Sequence, residues 1–376
     1  MKRLTAEPIF WHDKLDGKSP TYASLVLEHK PGKERRVRAV FRGHLQGENP
    51  IWTSRNTDMA AKKLFLNMIV SEGMDFMTLD IKDFYPAEMN LLEEVEYMVL
   101  KEQYVTAKYK KKYGHVMKNG RLLLKLKRSI YGMKQAGHIS QRNLIKILEG
   151  NGYAGSDYNC ICANTEKTVT FVTHLDDFGV GYKNKRHIEK LIEVLKGAGY
   201  TITVDWEGKK ICGFEIELVK GVQVAMTIKK TIERTRFGRL KHRDCPYLIS
   251  EMSFAKVQLE QQTDEPSMLD EKQKTLLQEK VGLLRYIAGA VFVRLELAVG
   301  KIAANKSKPT VALMEQADHV LGYLQSDADR GIRFLPSDMV LRAHSDASYG
   351  CESNLRYRTG SSFSVAETTQ ILLMDL

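Results

Sequence analysis

The chain has 376 residues, of which 43% are hydrophobic and 27% charged, so it can fill real cores, and a disordered or fibrous chain is excluded. At about 100–200 residues per domain, we expect two or three domains. Lys and Arg outnumber Asp and Glu by 57 to 46. The resulting net charge of +11 favours a polyanionic partner, with nucleic acid first, although Lys and Arg are also ordinary surface residues.

The five cysteines are sparse, odd in number and without a CxxC pair, so a secreted fold built on disulfides is not expected. No apolar run approaches the ~18 residues of a membrane span, and no apolar segment follows Met1 as a signal peptide would require. We therefore expect a soluble protein of a reducing, intracellular compartment.

Apolar periodicity predicts both strands and helices along the chain. In chain order, the predicted elements are a basic hairpin (22–27 and 35–42), a helix (57–72), two strands (76–81 and 121–131), a helix (137–150), a hairpin (168–173 and 178–182), a helix (186–198), short strands (200–228), a mostly helical region (229–326, with one helix at 311–324) and a last strand (341–348).

Three carboxylates lie where predicted strands end. Asp80 closes one strand, and Asp176 and Asp177 lie at the tip of a hairpin. If these strands are neighbours, the acids meet, and clustered carboxylates need a cation at neutral pH. Mg²⁺ prefers such oxygen ligands, and two such ions can clamp a phosphoryl transfer. The alternative is a polar hairpin turn and a strand-end cap, and the spacing leaves both readings open.

Three motifs carry a resemblance to a known family. Phe76 to Tyr85 (FMTLDIKDFY) resembles the first catalytic motif of reverse transcriptases, and Ser129 to Ala136 (SIYGMKQA) resembles the SLYGLKQA signature of copia-type (pseudovirus) LTR retrotransposon polymerases. His174 to Asp177 stands where that family has Tyr-Val-Asp-Asp. Further segments resemble the family's finger strand (Arg36 to Gly43), primer grip (Ile211 to Ile216), thumb and connection helices (Gln278 to Val299, Ala317 to Gly331) and RNase H start (His344 to Phe363). The matches run in family order from about residue 22 to 365.

The resemblance implies an α+β, right-hand polymerase fold with fingers, palm and thumb, a connection region and a truncated start of an RNase H-like domain. The expected domains are N-terminally shortened fingers (1–75), a palm (76–228) with an inserted fingers segment (about 86–128), a helical thumb and connection (229–330) and a truncated RNase H-like segment (338–376).

The resemblance also implies the catalytic groups. Asp80, Asp176 and Asp177 match the catalytic carboxylates, and Asp80, Asp176 and the backbone carbonyl of Ile81 match the metal ligands. The implied cofactor is Mg²⁺, with Mn²⁺ as an alternative. The primer 3′-OH would attack the α-phosphate of a dNTP, and pyrophosphate would leave.

Four further positions match the family's nucleotide pocket. Arg38 would hold the triphosphate through bidentate contacts, and Gln135 would lie against the incoming nucleotide. Tyr85 would act as a steric gate whose ring excludes a ribose 2′-OH. Asp83 would line the sugar pocket. A solvated strand Arg at 38, a core aromatic at 85 and a surface acid at 83 are the structural alternatives.

The remaining matches and departures concern the primer and the C-terminal segment. Gly213 and Phe214 match the primer grip, and Asp346 matches the first carboxylate of RNase H, whose other acids would lie beyond the chain. RNase H activity is therefore not expected. His174 replaces the family's Tyr, and Gly137 replaces its usual Pro.

The leading interpretation is a copia-type RNA-directed DNA polymerase. Its implied partners are an RNA or DNA template with a primer and dNTPs, without a membrane, and self-association and a polyprotein context stay open. Its implied location is a cytoplasmic virus-like particle or the nucleus. The alternatives are an inactive retroelement fragment that keeps the fold and binds nucleic acid without turnover, and a metal-dependent nuclease built on the same acids.

Overall fold

The computed structural model describes residues 5–14, 17–28, 36–47, 49–155, 161–235, 237–247, 267–307, 309–352 and 356–366. Within these ranges the protein is a mixed α+β structure with several sheets. The chain divides into two compact units: one comprises Met1–Asp58 and Met77–Trp206, and the other comprises Met59–Phe76 and Glu207–Leu376.

The strands are, in chain order, β1 (Ala6–Ile9), β2 (Thr21–Tyr22), β3 (Ser24–Glu28), β4 (Arg36–Val40), β5 (Asp75–Lys82), β6 (Leu91–Lys101), β7 (Arg121–Arg128), β8 (Tyr153–Gly155), β9 (Ile161–Asn164), β10 (Val169–His174), β11 (Asp177–Tyr182), β12 (Thr201–Asp205), β13 (Lys210–Ile211), β14 (Phe214–Val219), β15 (Gln223–Thr227), β16 (Ile332–Phe334), β17 (Val340–Glu352) and β18 (Arg356–Ala366). The helices are α1 (Met59–Ser71), α2 (Ala107–Tyr113), α3 (Ala136–Glu149), α4 (Lys185–Gly197), α5 (Lys229–Glu233), α6 (Glu271–Ala290), α7 (Glu296–Ala304) and α8 (Val311–Ser326).

The first unit is built on a sheet with the strand order β12–β5–β11–β10–β9–β8. Apolar side chains alternate along these strands, and those on one face pack against α3 and α4, whose own apolar residues recur at helical spacing. The shared core includes Leu79, Ile81, Phe178, Val180, Leu144, Leu148, Ile188 and Leu191. Burial of each such side chain contributes about 1.5–3 kcal/mol, so this core fixes which face of the sheet points away from the helices.

A second sheet of the same unit has the order β1–β7–β6–β2, in which β2 and β6 are parallel and the other pairs are antiparallel. The basic hairpin predicted at 22–27 and 35–42 is confirmed as the β3–β4 ribbon, with Val26 paired to Arg38. Residues 29–35, which connect the two strands of this hairpin, lie outside the described residues.

The second unit combines a small sheet with helices. Its sheet has the order β13–β14–β15–β16, and α1 packs against β15 and β16. Helices α6, α7 and α8 pack on one another, as the predicted helical region requires. Helix α6 begins at a capping box, in which the Asp270 side chain accepts from the Gln273 N–H and the Gln273 side chain accepts from the Asp270 N–H.

Most predicted elements agree with the structure to within a few residues. In the predicted mostly helical region 229–326, the described residues between Glu233 and Glu271 form no helix, and strand β6 and helix α2 were not predicted. The strand predicted at 121–131 ends at Arg128, because the chain then turns through Gly132, whose φ is +89°. The last strand, predicted at 341–348, extends over Val340–Glu352, and β18 is its one pairing partner among the residues that the structure describes. Among the described residues, no helix has both the length and the apolar character that crossing a bilayer demands.

Candidate active site

The strands that carry the predicted catalytic acids are neighbours. Strand β5 lies between β12 and β11, and the Ile81 N–H donates to the Asp176 carbonyl oxygen over 2.9 Å. Leu79 and Ile81 point into the helix-covered core together with Phe178. Because side chains alternate along a strand, Asp80 and Asp177 belong to the opposite face, and Asp80 is exposed there.

The β10–β11 hairpin presents the second pair of acids. His174 and Asp177 are already cross-strand partners, so the turn consists of Leu175 and Asp176, one residue earlier than the predicted tip. Leu175 has φ +59°, a left-handed conformation that costs a branched residue about 1–3 kcal/mol and is held by the two paired strands. The turn therefore places Asp176 beside β5.

Aromatic rings connect the predicted triphosphate residue with the predicted sugar residue. The Arg38 guanidinium lies 4.7 Å from the centre of the Tyr131 ring. The Tyr131 ring meets the Tyr85 ring edge-on, with centroids 5.1 Å apart and an interplanar angle of 86°. Residues from β4, from the turn after β7 and from the loop after β5 thus form one continuous surface, as a nucleotide pocket would require.

The charges of nearby acids act on the two tyrosine hydroxyls of this surface. Burial raises the pKa of the Tyr85 hydroxyl, and the charge of Asp176 raises it further. Burial likewise raises the pKa of Tyr131, against the lowering effect of Arg38, and Asp83 and Asp176 add to the increase. Both hydroxyls therefore stay protonated at neutral pH and can donate hydrogen bonds to an anionic ligand.

Two glycines allow β4 to approach the turn after β7. The Phe41 N–H donates to the Tyr131 carbonyl over 2.8 Å. A Cβ at Gly132 would collide with the Phe41 carbonyl oxygen, and one at Gly43 would collide with the Gly132 carbonyl oxygen. Only glycine permits this backbone contact, which sets Arg38 over the Tyr131 ring.

Buried hydrogen bonds hold the loop that carries Tyr85. Asn90 is fully buried, and its side-chain amide donates to the carbonyls of Phe84 and Tyr85 and to the Ser140 hydroxyl. The Ser129 hydroxyl also donates to the Tyr85 carbonyl over 2.7 Å. The position of the Tyr85 ring therefore depends on a polar network that ties the loop to β7 and α3.

Gln135 lies in a polar cluster beneath the surface. It is 4% exposed, and its side-chain oxygen accepts a 3.0 Å hydrogen bond from Gln46. Gln46 also donates to Glu96 and accepts from the Lys134 backbone N–H. The Gln135 amide is therefore hydrogen-bonded to protein groups. A nucleotide would contact Gln135 from the edge of this cluster.

The other predicted positions are distributed over both units. Asp83 is exposed at φ +52°, in the turn directly after β5. In the second unit, Cys212 and Gly213 form a two-residue turn between β13 and β14, both with positive φ. Phe214 is 2% exposed and packs on Tyr286, which makes it a supporting core residue of that hairpin. Asp346 is exposed on β17, opposite Gly360.

The candidate metal donors are the carboxylates of Asp80 and Asp176. No group of three or more His, Cys, Asp and Glu side chains lies ready for a metal within the described ranges. Mg²⁺ is, however, usually held by one or two carboxylates together with substrate phosphates and water. Asp80 and Asp176, on neighbouring strands and with hard oxygen donors, fit a site of that kind which the substrate completes.

Sequence reasoning missed Tyr131 and Gln46. Tyr131 lies inside the SIYGMKQA motif, where its position next to Gly132 was the available signal, and Gln46 had none. Both gain their roles through contacts with residues far away in the sequence, which local patterns do not reveal.

No family model matches the chain. Among solved structures, the chain is similar to a foamy viral protease-reverse transcriptase determined in complex with double-stranded DNA, at 12% sequence identity and a TM-score of 0.49. The similarity covers 93% of this chain and 52% of that one, so this chain spans about half the length of the solved structure.

Proposed function

We propose that the protein is an RNA-directed DNA polymerase of the copia type, which adds dNTPs to the 3′ end of a primer on an RNA or DNA template. The observation that carries the proposal is the adjacency of β5 and β11, which brings Asp80 and Asp176 to one edge of the sheet. The order of the family-like motifs along the chain supports the same assignment, and the net charge of +11 suits a phosphate-rich partner.

In this proposal the chain's own residues bind and orient the reactants. Arg38 binds the triphosphate, and Tyr131 orients Arg38 through its ring. Tyr85 lies beneath the sugar and rejects a 2′-OH by collision. The primer 3′-OH loses its proton to solvent as its oxygen forms a new bond to the α-phosphorus. The bond from the α-phosphorus to the bridging oxygen breaks, and pyrophosphate leaves with that electron pair.

The metal would be held by Asp80 and Asp176. Asp177 and the Ile81 carbonyl are the further donors of this proposed site. Bound Mg²⁺, or Mn²⁺ in its place, supplies charge neutralisation for the triphosphate and lowers the pKa of the primer 3′-OH. Gly213 and Phe214 are proposed to support the primer strand.

Two other functions are the alternatives to a polymerase. An inactive retroelement fragment would keep the fold and bind template–primer without incorporation, and the replacement of the family's Tyr by His174 favours it. A metal-dependent nuclease would use the same acids but would have no use for Arg38, Tyr131 and Tyr85, which together suit a nucleoside triphosphate. Polymerase activity is therefore the better account of the whole surface.

The test is primer extension on poly(rA)/oligo(dT) with dTTP and Mg²⁺. We expect incorporation by the unaltered protein and by Glu189→Gln, which removes an exposed acid of α4, and none by Asp176→Asn. Template–primer affinity, measured by fluorescence anisotropy, should be nearly equal in all three. Incorporation by Asp176→Asn would refute the site, and binding without extension in every variant would identify the inactive fragment.

A further inference from the structure

The loop between β6 and β7 carries a surface that the polymerase proposal does not use. It includes helix α2 and the short 3₁₀ turns on both sides of it. Five of its residues, Tyr104, Lys108, Tyr109, Lys111 and Lys112, are exposed together, and we name them the lysine–tyrosine surface.

This surface is strongly and unevenly charged. The segment from Lys101 to Arg121 contains seven Lys or Arg residues and one acid, Glu102, in a chain whose net charge is +11. Glu102 forms a 3.2 Å ion pair with Lys110. Helix α2 itself contains no acidic residue, so the lysines of the surface have no intrahelical acid to pair with, and like charges at this spacing repel. A polyanion would relieve that repulsion.

The tyrosines add a second, independent feature. The rings of Tyr109 and Tyr113 are stacked, with centroids 6.1 Å apart and an interplanar angle of 9°, and Lys112 lies 4.9 Å from the centre of the Tyr113 ring. Tyr109 is 51% exposed and Tyr104 is 45% exposed. Flat aromatic faces that stay in water beside lysines are the arrangement on which unpaired bases stack.

The surface is also rigidly presented. Val105, Val116 and Leu122 form a small core of their own beneath α2, with Tyr113 packed against it. The Glu102 N–H donates to the Gly120 carbonyl over 2.8 Å, which closes the base of the loop. The backbone of α2 and the Tyr113 ring are therefore supported from within the protein, which lowers the entropic cost of ordering the loop on binding.

We propose that the lysine–tyrosine surface binds single-stranded nucleic acid, with the lysines on the phosphates and Tyr109 stacked on a base. A duplex keeps its bases paired and stacked and would leave the tyrosines unused, whereas a single strand engages both features. The proposal does not depend on polymerase activity. In a working polymerase the surface would hold an unpaired stretch of template.

The first experiment measures binding of fluorescein-labelled oligo(dT)₂₀ by anisotropy, without metal or dNTP, over a range of salt concentrations. The triple α2 variant is Lys108→Gln/Lys111→Gln/Lys112→Gln. Its lysine control is Lys146→Gln/Lys190→Gln/Lys196→Gln, which removes three exposed helical lysines elsewhere in the same unit. We expect at least about a fivefold loss of affinity only in the first variant. In that variant, the slope of the logarithm of the binding constant against the logarithm of the salt concentration should become shallower by about 2. Each phosphate contact to a single strand contributes about 0.7 to this slope.

The stacking part is tested at one residue. Tyr109→Ala should lose at least about fivefold in affinity at unchanged salt slope, and Tyr109→Phe should bind like the unaltered protein. Photocrosslinking of an oligonucleotide containing 5-iododeoxyuridine to the unaltered protein requires no variant, and the crosslink should map to Tyr104 or Tyr109. Crosslinks confined to other segments would overturn the proposal.

A membrane-directed role is the contrasting outcome. Co-sedimentation with phosphatidylserine-containing vesicles is measured for the same variants. If the triple α2 variant loses vesicle binding and keeps oligonucleotide binding, the surface serves an anionic membrane and the proposal fails. Equal oligonucleotide affinity in the triple α2 variant and its lysine control would also refute it.

Discussion

The backbone N–H of Ile81 donates to the carbonyl oxygen of Asp176 over 2.9 Å, which joins two strands whose acids are far apart in the sequence. The same bond places Asp80 one residue away from the hairpin turn that displays Asp176. The consequences of this arrangement can be tested at the residues around it.

Tyr85→Ala is expected to weaken discrimination between dNTPs and rNTPs, because the ring that would meet a ribose 2′-OH is removed. Tyr85→Phe should keep the discrimination, since exclusion depends on the ring and not on the hydroxyl. The measurement is the ratio of kcat/KM for dTTP and UTP in primer extension. An unchanged ratio in Tyr85→Ala would remove Tyr85 from the sugar pocket.

Tyr131→Ala should raise the KM for dTTP about two- to fivefold, because a cation–π contact of about 0.5–1 kcal/mol no longer holds the Arg38 guanidinium. Tyr131→Phe keeps a ring in this position and should leave KM almost unchanged. The matched pair, assayed by steady-state primer extension, separates the role of the ring from that of the hydroxyl. Loss in both variants would contradict a purely orienting role.

Gly132→Ala should destabilise the protein more than Gly199→Ala does. Both glycines have almost the same φ, +89° and +90°, so both substitutions cost about 1–2 kcal/mol of backbone strain. Only the Gly132 Cβ would meet the Phe41 carbonyl oxygen, whereas the Gly199 Cβ meets open space. We expect a further loss of about 1–3 kcal/mol, measured by urea unfolding. Equal losses would mean that this backbone contact is easily relaxed.

Tyr200→Phe tests a buried hydroxyl in the core of the first unit. The Tyr200 hydroxyl finds no hydrogen-bond partner among the described residues, so its removal should be neutral or stabilising by up to about 1 kcal/mol near pH 7. Burial raises the pKa of Tyr200 above its ordinary value near 10.

The pH dependence follows from this direction. Above about pH 10 the unfolded chain releases the Tyr200 proton while the folded chain retains it, so the free energy of unfolding decreases as pH rises. Tyr200→Phe should flatten this decrease between about pH 10 and 11.5, compared with Tyr104→Phe at an exposed site. An alkaline decrease identical in all three proteins would show that other groups cause it.

Helices and strands were largely predictable because their signals are local. Apolar spacing located α3, α4 and α8 to within a few residues, and the alternation around Asp176 predicted a hairpin. Residue type also pointed to the acids, since carboxylates that follow apolar strands need either a cap or a cation. The copia-type assignment and the roles it implies stay proposals.

Tertiary structure alone determined which strands are neighbours and which side chains meet. The contact of Arg38 with Tyr131 requires that β4 approach the turn after β7 through Gly43 and Gly132, a choice made by backbone packing between distant segments. Gln135 lies under the surface because Gln46 and Glu96 offer its amide partners there. Local patterns depend on the period of one helix or strand, whereas these contacts depend on how separate elements exclude water together, and only the folded chain specifies that.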